Sequence, residues 1–260
     1  MMAAGALLAL TLIMPAAGPE ALEREGRLWE AGVAYQEAGD LQGQMRVMCR
    51  LLEEGLYAGH PFRSARLIDE LEGMGADPSD VAMWRARLAW VCGLEQLARK
   101  ELEEMSGPGW TGRRAAGLAH LYGLRPQRAV EALRAAYAEA ENHMERYYAA
   151  IDLTYAMLAA GMTSRALEAS DSLAAALPHE GLPAVLHCLC LHRAGLYAEA
   201  MTRLDSLAAD TTVSAGPRSM AEKTVNSAVK NWPIALNMVS PFGDCSGEIA
   251  ITSAKPDRGG

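Results

Sequence analysis

Apolar residues recur along this chain at intervals of three and four from about residue 20 to residue 210, the spacing of one face of an α-helix. Leu41 to Tyr57 carries Met45, Met48, Leu51, Leu52 and Leu56 along a single stripe, which predicts a helix packed by that side. Pro61 can open the next helix, because the first helical position needs no bonded amide, and Leu67, Ile68 and Leu71 give that helix its core face. Glu20 to Ala38 reads as one helix ended by Gly39-Asp40, and Asp77-Pro78-Ser79-Asp80 reads as a stop followed by a cap. Four helix pairs follow: Val81 to Cys92 with Leu94 to Met105, Trp110 to Tyr122 with Pro126 to Glu139, Met144 to Ala160 with Thr163 to Leu177, and Leu182 to Ala194 with Tyr197 to Ala208. Joints this short oblige the two helices of a pair to pack against each other, antiparallel.

The joints repeat. Gly59, Gly93, Gly123, Gly161 and Gly195 stand 34, 30, 38 and 34 residues apart, and a small residue follows each by five or six positions: Ser64 or Ala65, Ala98, Ala129, Ala166 and Ala200. Glycine supplies the left-handed backbone that reverses the chain within two or three residues. The small residue lets the two helix backbones approach. A two-helix unit recurring near 34 residues is the mark of a helical solenoid, whose curved wall is a surface for binding.

These residues resemble the tetratricopeptide repeat family, whose pattern sets a small residue seven places before the turn glycine, an aromatic four before, alanine five after and often proline seventeen after. Ala166 and Pro178 fit around Gly161, Ala86 and Ala98 around Gly93, Cys188 and Ala200 around Gly195, and Gly32 with Tyr35 around Gly39. The aromatic is missing from the later units, as is the family's early tryptophan. The resemblance covers roughly residues 25 to 210. It implies an all-α, right-handed α-α solenoid of such hairpins over residues 20–210. By the same resemblance the first helix of each pair lines the concave face, which puts Asp80, Arg87 and Trp90 there, then Trp110, Arg113 and His120, then Tyr148, Ile151 and Tyr155, then Val185, Leu189, His192 and Arg193. Of these, Arg87, Trp90, Arg113, His120, Tyr148, Tyr155, His192 and Arg193 are the expected peptide-binding set, since aromatic and arginine side chains dominate binding hot spots.

Composition sharpens the ends. Ala3 to Met14 is an apolar run followed by Pro15-Ala16-Ala17-Gly18, so residues 1–18 read as a signal peptide or short anchor, without a basic residue ahead of the run. That reading places the protein in the periplasm or outside the cell, with the cytoplasm as the alternative, and brings in a membrane only if the segment is retained. After Ala209 leucine nearly disappears while lysine, asparagine, serine and threonine rise. Residues 211–260 therefore read as a short irregular tail or the start of an incomplete second domain, with a helix at Met220 to Lys230 and short strands at Ile234 to Val239 and Glu248 to Thr252.

Charge and chemistry exclude more than they assign. A net charge of −8 argues against a nucleic-acid partner held through phosphates. Five scattered cysteines make no disulfide framework. His187-Cys188-Leu189-Cys190-Leu191-His192 puts only Cys188 and His192 on one helix face, short of a closed zinc site, so no metal is expected. Gly107-Pro108-Gly109-Trp110-Thr111-Gly112 fits a dinucleotide-loop pattern but lies between two helices with no strand before it, so no cofactor is expected. Glu101, Glu103 and Glu104 read as a solvated face. The expectation is a non-catalytic scaffold for a protein or peptide. The alternatives are an enzyme module with a site assembled from scattered polar residues, or an architectural spacer in a cell envelope.

Overall fold

The structure, a computed structural model, describes residues 18–177, 180–210, 217, 218, 220 and 221. The expected N-terminal apolar segment, Pro178, the rest of the helix expected from Met220 and the two expected strands lie outside the described residues. Among the described residues twelve bounded helices follow one another: α1 Pro19–Arg24, α2 Leu28–Ala38, α3 Leu41–Tyr57, α4 Pro61–Gly73, α5 Pro78–Val91, α6 Glu95–Met105, α7 Trp110–Tyr122, α8 Pro126–Glu139, α9 His143–Ala159, α10 Thr163–Ala176, α11 Gly181–Arg193 and α12 Tyr197–Ala209. No strand occurs among the described residues. The fold is an all-α solenoid of hairpins, each helix packed on the one before and the one after.

The joints show why. At Gly59, Gly93, Gly161 and Gly195 φ lies between 67° and 83°. The amide of the next residue then bonds back to the carbonyl five residues earlier: His60 to Gly55 at 2.9 Å, Leu94 to Ala89 at 2.9 Å, Met162 to Met157 at 2.9 Å and Leu196 to Leu191 at 2.9 Å. This closes the helix end with its carbonyls satisfied. Glu20 to Ala38, read from sequence as one helix, is two, because Gly26 makes the same turn with φ 73° and the Arg27 amide bonds to Leu22 at 2.9 Å.

One joint departs from the expected register. Gly123 has an ordinary φ of −81°, and Leu124 holds the left-handed conformation at φ 55°. The Arg125 amide bonds to His120 at 2.8 Å, so the turn is the same but one residue later. Counted from the left-handed residue, all five small residues fall five positions on, and Ser64, Ala98, Ala129, Ala166 and Ala200 are each fully buried. Ten positions before it stand Met83, Arg114, Ile151 and Val185, all buried.

A leucine in this conformation costs roughly 1 kcal/mol. Leu124→Gly is expected to stabilise the protein by about 0.5 kcal/mol once the looser unfolded chain is counted, raising Tm by about 2 °C in a thermal melt. Gly123→Ala brings no such gain, since its Cβ would lie 3.1 Å from the Ala119 carbonyl and 3.3 Å from Arg99 Cδ.

The hairpins form two layers. The odd-numbered helices from α3 to α11 each also touch the next odd-numbered helix, which makes them the inner layer. Ala-rich contacts keep the layers close. At Gly117 a Cβ would sit 2.4 Å from Leu133 Cγ, so α7 and α8 approach to a distance only glycine allows. The N-terminal helices are tied down by charge: Tyr35 donates to Glu23 at 2.9 Å, and Arg46 donates to Glu23 at 2.8 Å and to Tyr35 at 2.9 Å.

Candidate functional site

The inner layer closes on itself. Every residue from Arg50 to Tyr57 is buried, so the last two turns of α3 are covered all round. Tyr57 donates to Asp152 of α9, and Arg50 pairs with Glu180 at the start of α11. These contacts cross the inside of the arc.

They belong to a buried network of two carboxylates and two guanidinium groups. Glu53 accepts from Trp84 Nε1 at 3.0 Å, from Arg87 Nη1, and from both terminal nitrogens of Arg114 at 3.2 Å. Arg114 Nε donates to Asp152 at 2.7 Å. None of Glu53, Arg87, Arg114 and Asp152 is more than 3% exposed. The four charges sum to zero, which is how a low-dielectric interior tolerates them. Burial alone would push the Glu53 carboxyl up, but the charges of Arg114 and Arg87 and their hydrogen bonds overcome it and hold the group down at about 2. Aromatic faces complete the enclosure: the Arg87 guanidinium lies 4.6 Å from the Tyr57 ring, and that of Arg114 lies 5.4 Å from Trp110 and 5.2 Å from Tyr148.

The residues expected on an open wall divide accordingly. Arg87, Trp90, Tyr148 and Tyr155 are buried. Trp90 stacks on Tyr122 with centroids 4.0 Å apart, and Tyr155 stacks on Tyr57 at 5.7 Å. Ile151, Val185 and Leu189 are core. The physical reason is curvature: the arc brings α3 onto α9, so the inner face meets its own side chains. Tyr148 Oη and Tyr155 Oη are left buried without a hydrogen-bond partner among the described residues.

Four of the eight stay accessible. Arg113 is exposed and pairs with Glu139 at 3.3 Å. His120 is half-buried at the end of α7, where burial and then the charges of Arg125 and Arg128 lower its pKa. His192 sits edge-on to Tyr197 at 4.8 Å, its pKa lowered by burial and by Arg193, which is exposed. His120, His192 and Arg193 lie at the hairpin-turn edge of the solenoid, whereas Arg113 lies at the opposite edge. There it shares a rim with half-buried Trp110, whose Nε1 donates to the Glu145 carbonyl at 3.2 Å, and with half-buried Asp80 in the first turn of α5.

Asp80, half-buried on this rim, is strongly changed by its surroundings. Burial, and then the neighbouring charge of Asp77, raise its pKa from 3.8 to about 6. A carboxyl raised on folding favours the folded state fully below its ordinary pKa, and that contribution is lost as pH rises through 6. Asp80→Asn is therefore expected to stabilise by about 1 kcal/mol at pH 7.5, after allowance for solvent screening, and by nearly nothing at pH 4. Paired melts at the two pH values read this directly.

Sequence reading missed Glu53, Tyr57, Arg114 and Asp152. The readable signal was a charged residue set into an apolar stripe on each of several helices, with opposite signs available to match. His187 to Leu191 are internal: His187 Nδ1 lies 3.1 Å from Ser170 Oγ, and burial pushes the Cys188 and Cys190 thiols up to about 12 and about 11. Among the described residues no three His, Cys, Asp or Glu side chains gather as metal ligands, and no helix is long and apolar enough to cross a membrane. At the glycine-rich loop, a Cβ on Gly112 would lie 2.8 Å from the Gly107 backbone, so these glycines serve a close chain approach. No protein-family model matches the chain, and no curated protein matches it either.

Proposed function

We propose that the chain is a non-catalytic scaffold, built as a divergent tetratricopeptide-type solenoid, that binds a protein or peptide at the rim where α5 and α7 begin. The observation that carries this reading is the grouping of Asp80, Trp110 and Arg113 on that rim while the rest of the inner wall is filled by its own side chains. An aromatic ring, an arginine and a carboxylate held partly out of water make a surface of the hot-spot type. A basic group on the partner would relieve the desolvated Asp80 charge, so binding strengthens as pH rises through 6. The apolar run at Ala3 to Met14 supports export of this scaffold.

The test is affinity capture with the full chain against an Asp80→Asn/Arg113→Glu variant and a control changed at exposed Arg165. The rim variant is expected to lose one partner that wild type and control retain, with all three melting as folded proteins. Equal recovery of every protein by the rim variant removes the reading. A second reading, an architectural spacer, draws support from the enclosure of Arg87, Trp90, Tyr148 and Tyr155, which stiffens the arc.

A further inference from the structure

The edge of the solenoid formed by the hairpin turns differs in chemistry from the rest of the surface. Trp29, Phe62, Leu94, Leu124, Leu196 and Tyr197 all stand there, in the first turn of an even-numbered helix, beside the left-handed turn residue ahead of it or, for Leu124, as that residue. Each is 46% exposed or more, and Phe62 reaches 92%. Away from these turns, only Val33, Leu41 and Tyr137 are comparably exposed among the large apolar residues described.

Charge divides along the same line. Arg125, Arg128, Arg165 and Arg193 lie on this edge, are exposed, and make no ion pair among the described residues. Acidic residues are more numerous on the opposite edge, with Glu72, Asp77, Glu104, Glu141 and Glu145 among them, while Glu25, Glu30, Glu95 and Glu199 stand on the hairpin-turn edge. Helix dipoles do not explain this division. Each edge alternates helix starts with helix ends, so the preferences for acidic starts and basic ends cancel along it.

We propose that the hairpin-turn edge docks on an anionic phospholipid bilayer. The solenoid sets its turns in a row, about 10 Å from one inner helix to the next, so the apolar tips project singly rather than as one joined patch. A protein partner's hot spots gather in a central desolvated cluster. A bilayer takes up each tip independently, and arginines beside the tips meet lipid phosphates. The chain carries a net charge of −8, so an approach to an anionic surface is least opposed when led by the edge with Arg125, Arg128, Arg165 and Arg193.

Flotation of the full chain with vesicles tests this, using phosphatidylcholine alone and phosphatidylcholine mixed with phosphatidylglycerol. Binding is expected to be at least about tenfold tighter to the anionic vesicles. A Phe62→Ser/Leu124→Gly variant and an Arg125→Glu/Arg193→Glu variant are each expected to lose about tenfold, and a Leu41→Ser/Tyr137→Ser variant of the opposite edge to lose nothing. Leu124→Gly relieves backbone strain, so lost binding in that variant does not come from a damaged fold, and melting curves confirm it. Three results overturn the proposal: wild type failing to bind anionic vesicles, edge variants binding like wild type, which assigns binding to the apolar N-terminal segment, or capture of an acidic protein at this edge without vesicle binding. The edge variants leave Asp80 and Arg113 untouched, so this proposal and the rim reading fail separately.

Discussion

Glu53→Gln is expected to destabilise the protein by about 3–5 kcal/mol, a large share of the stability of an ordinary domain. Glu53 is the acceptor on which Trp84, Arg87 and Arg114 converge. With its charge gone, Asp152 balances only one of the two buried guanidinium groups, and the other is left uncompensated in a low-dielectric interior. The size of the loss follows from removing one partner rather than from the net worth of the network, which desolvation makes small. Urea melts of Glu53→Gln and of Glu53→Gln/Arg87→Gln separate the two. The double variant restores charge balance around Arg114 and Asp152 and is expected to be more stable than the single one. A double variant no better than Glu53→Gln would assign the loss to packing. Acid gives a second reading: a carboxyl lowered on folding contributes fully above its ordinary 4.5, and the contribution is lost as pH falls through about 2.

The second large effect is steric. Gly117→Ala is expected to cost about 2–3 kcal/mol, because the new methyl would lie 2.4 and 2.6 Å from Leu133 Cγ and Cδ2 in a fully buried contact. Leu133→Ala alone is expected to cost about 3 kcal/mol through the void it leaves. Together the two changes are expected to cost less than their sum by about 1–2 kcal/mol, since the alanine methyl enters the space the leucine vacates. Additive losses in a double-mutant cycle would show that α7 and α8 shift apart instead.

Both effects bear on what the sequence reveals. The helices were legible because their ends are made locally: Trp110 to Tyr122 and Pro126 to Glu139 begin and end where glycine, proline and apolar spacing place them. The buried small residues were legible for the same reason. The joint at Leu124 was not, since a glycine sits beside it and every local rule assigns the turn to Gly123. That single residue decides which of two adjacent arginines goes inside: Arg114, not Arg113, occupies the inward position that Met83, Ile151 and Val185 hold in their hairpins. The closure of α3 onto α9 was illegible for another reason. Curvature accumulates over several units from small angles, and no local pattern in Glu53, Tyr57 or Asp152 encodes their meeting.

The bond between Tyr57 and Asp152 joins residues nearly a hundred positions apart, in a fold whose contacts are mostly between successive helices. A neighbour-only array can begin ordering anywhere and lose units singly from either end. This one cannot: during synthesis Tyr57 on α3 and Arg114 on α7 lack their Asp152 partner until α9 has emerged, so ordering waits on a late, distant loop closure. Trimming the chain ahead of α9 should therefore abolish cooperative unfolding rather than yield a shorter stable array.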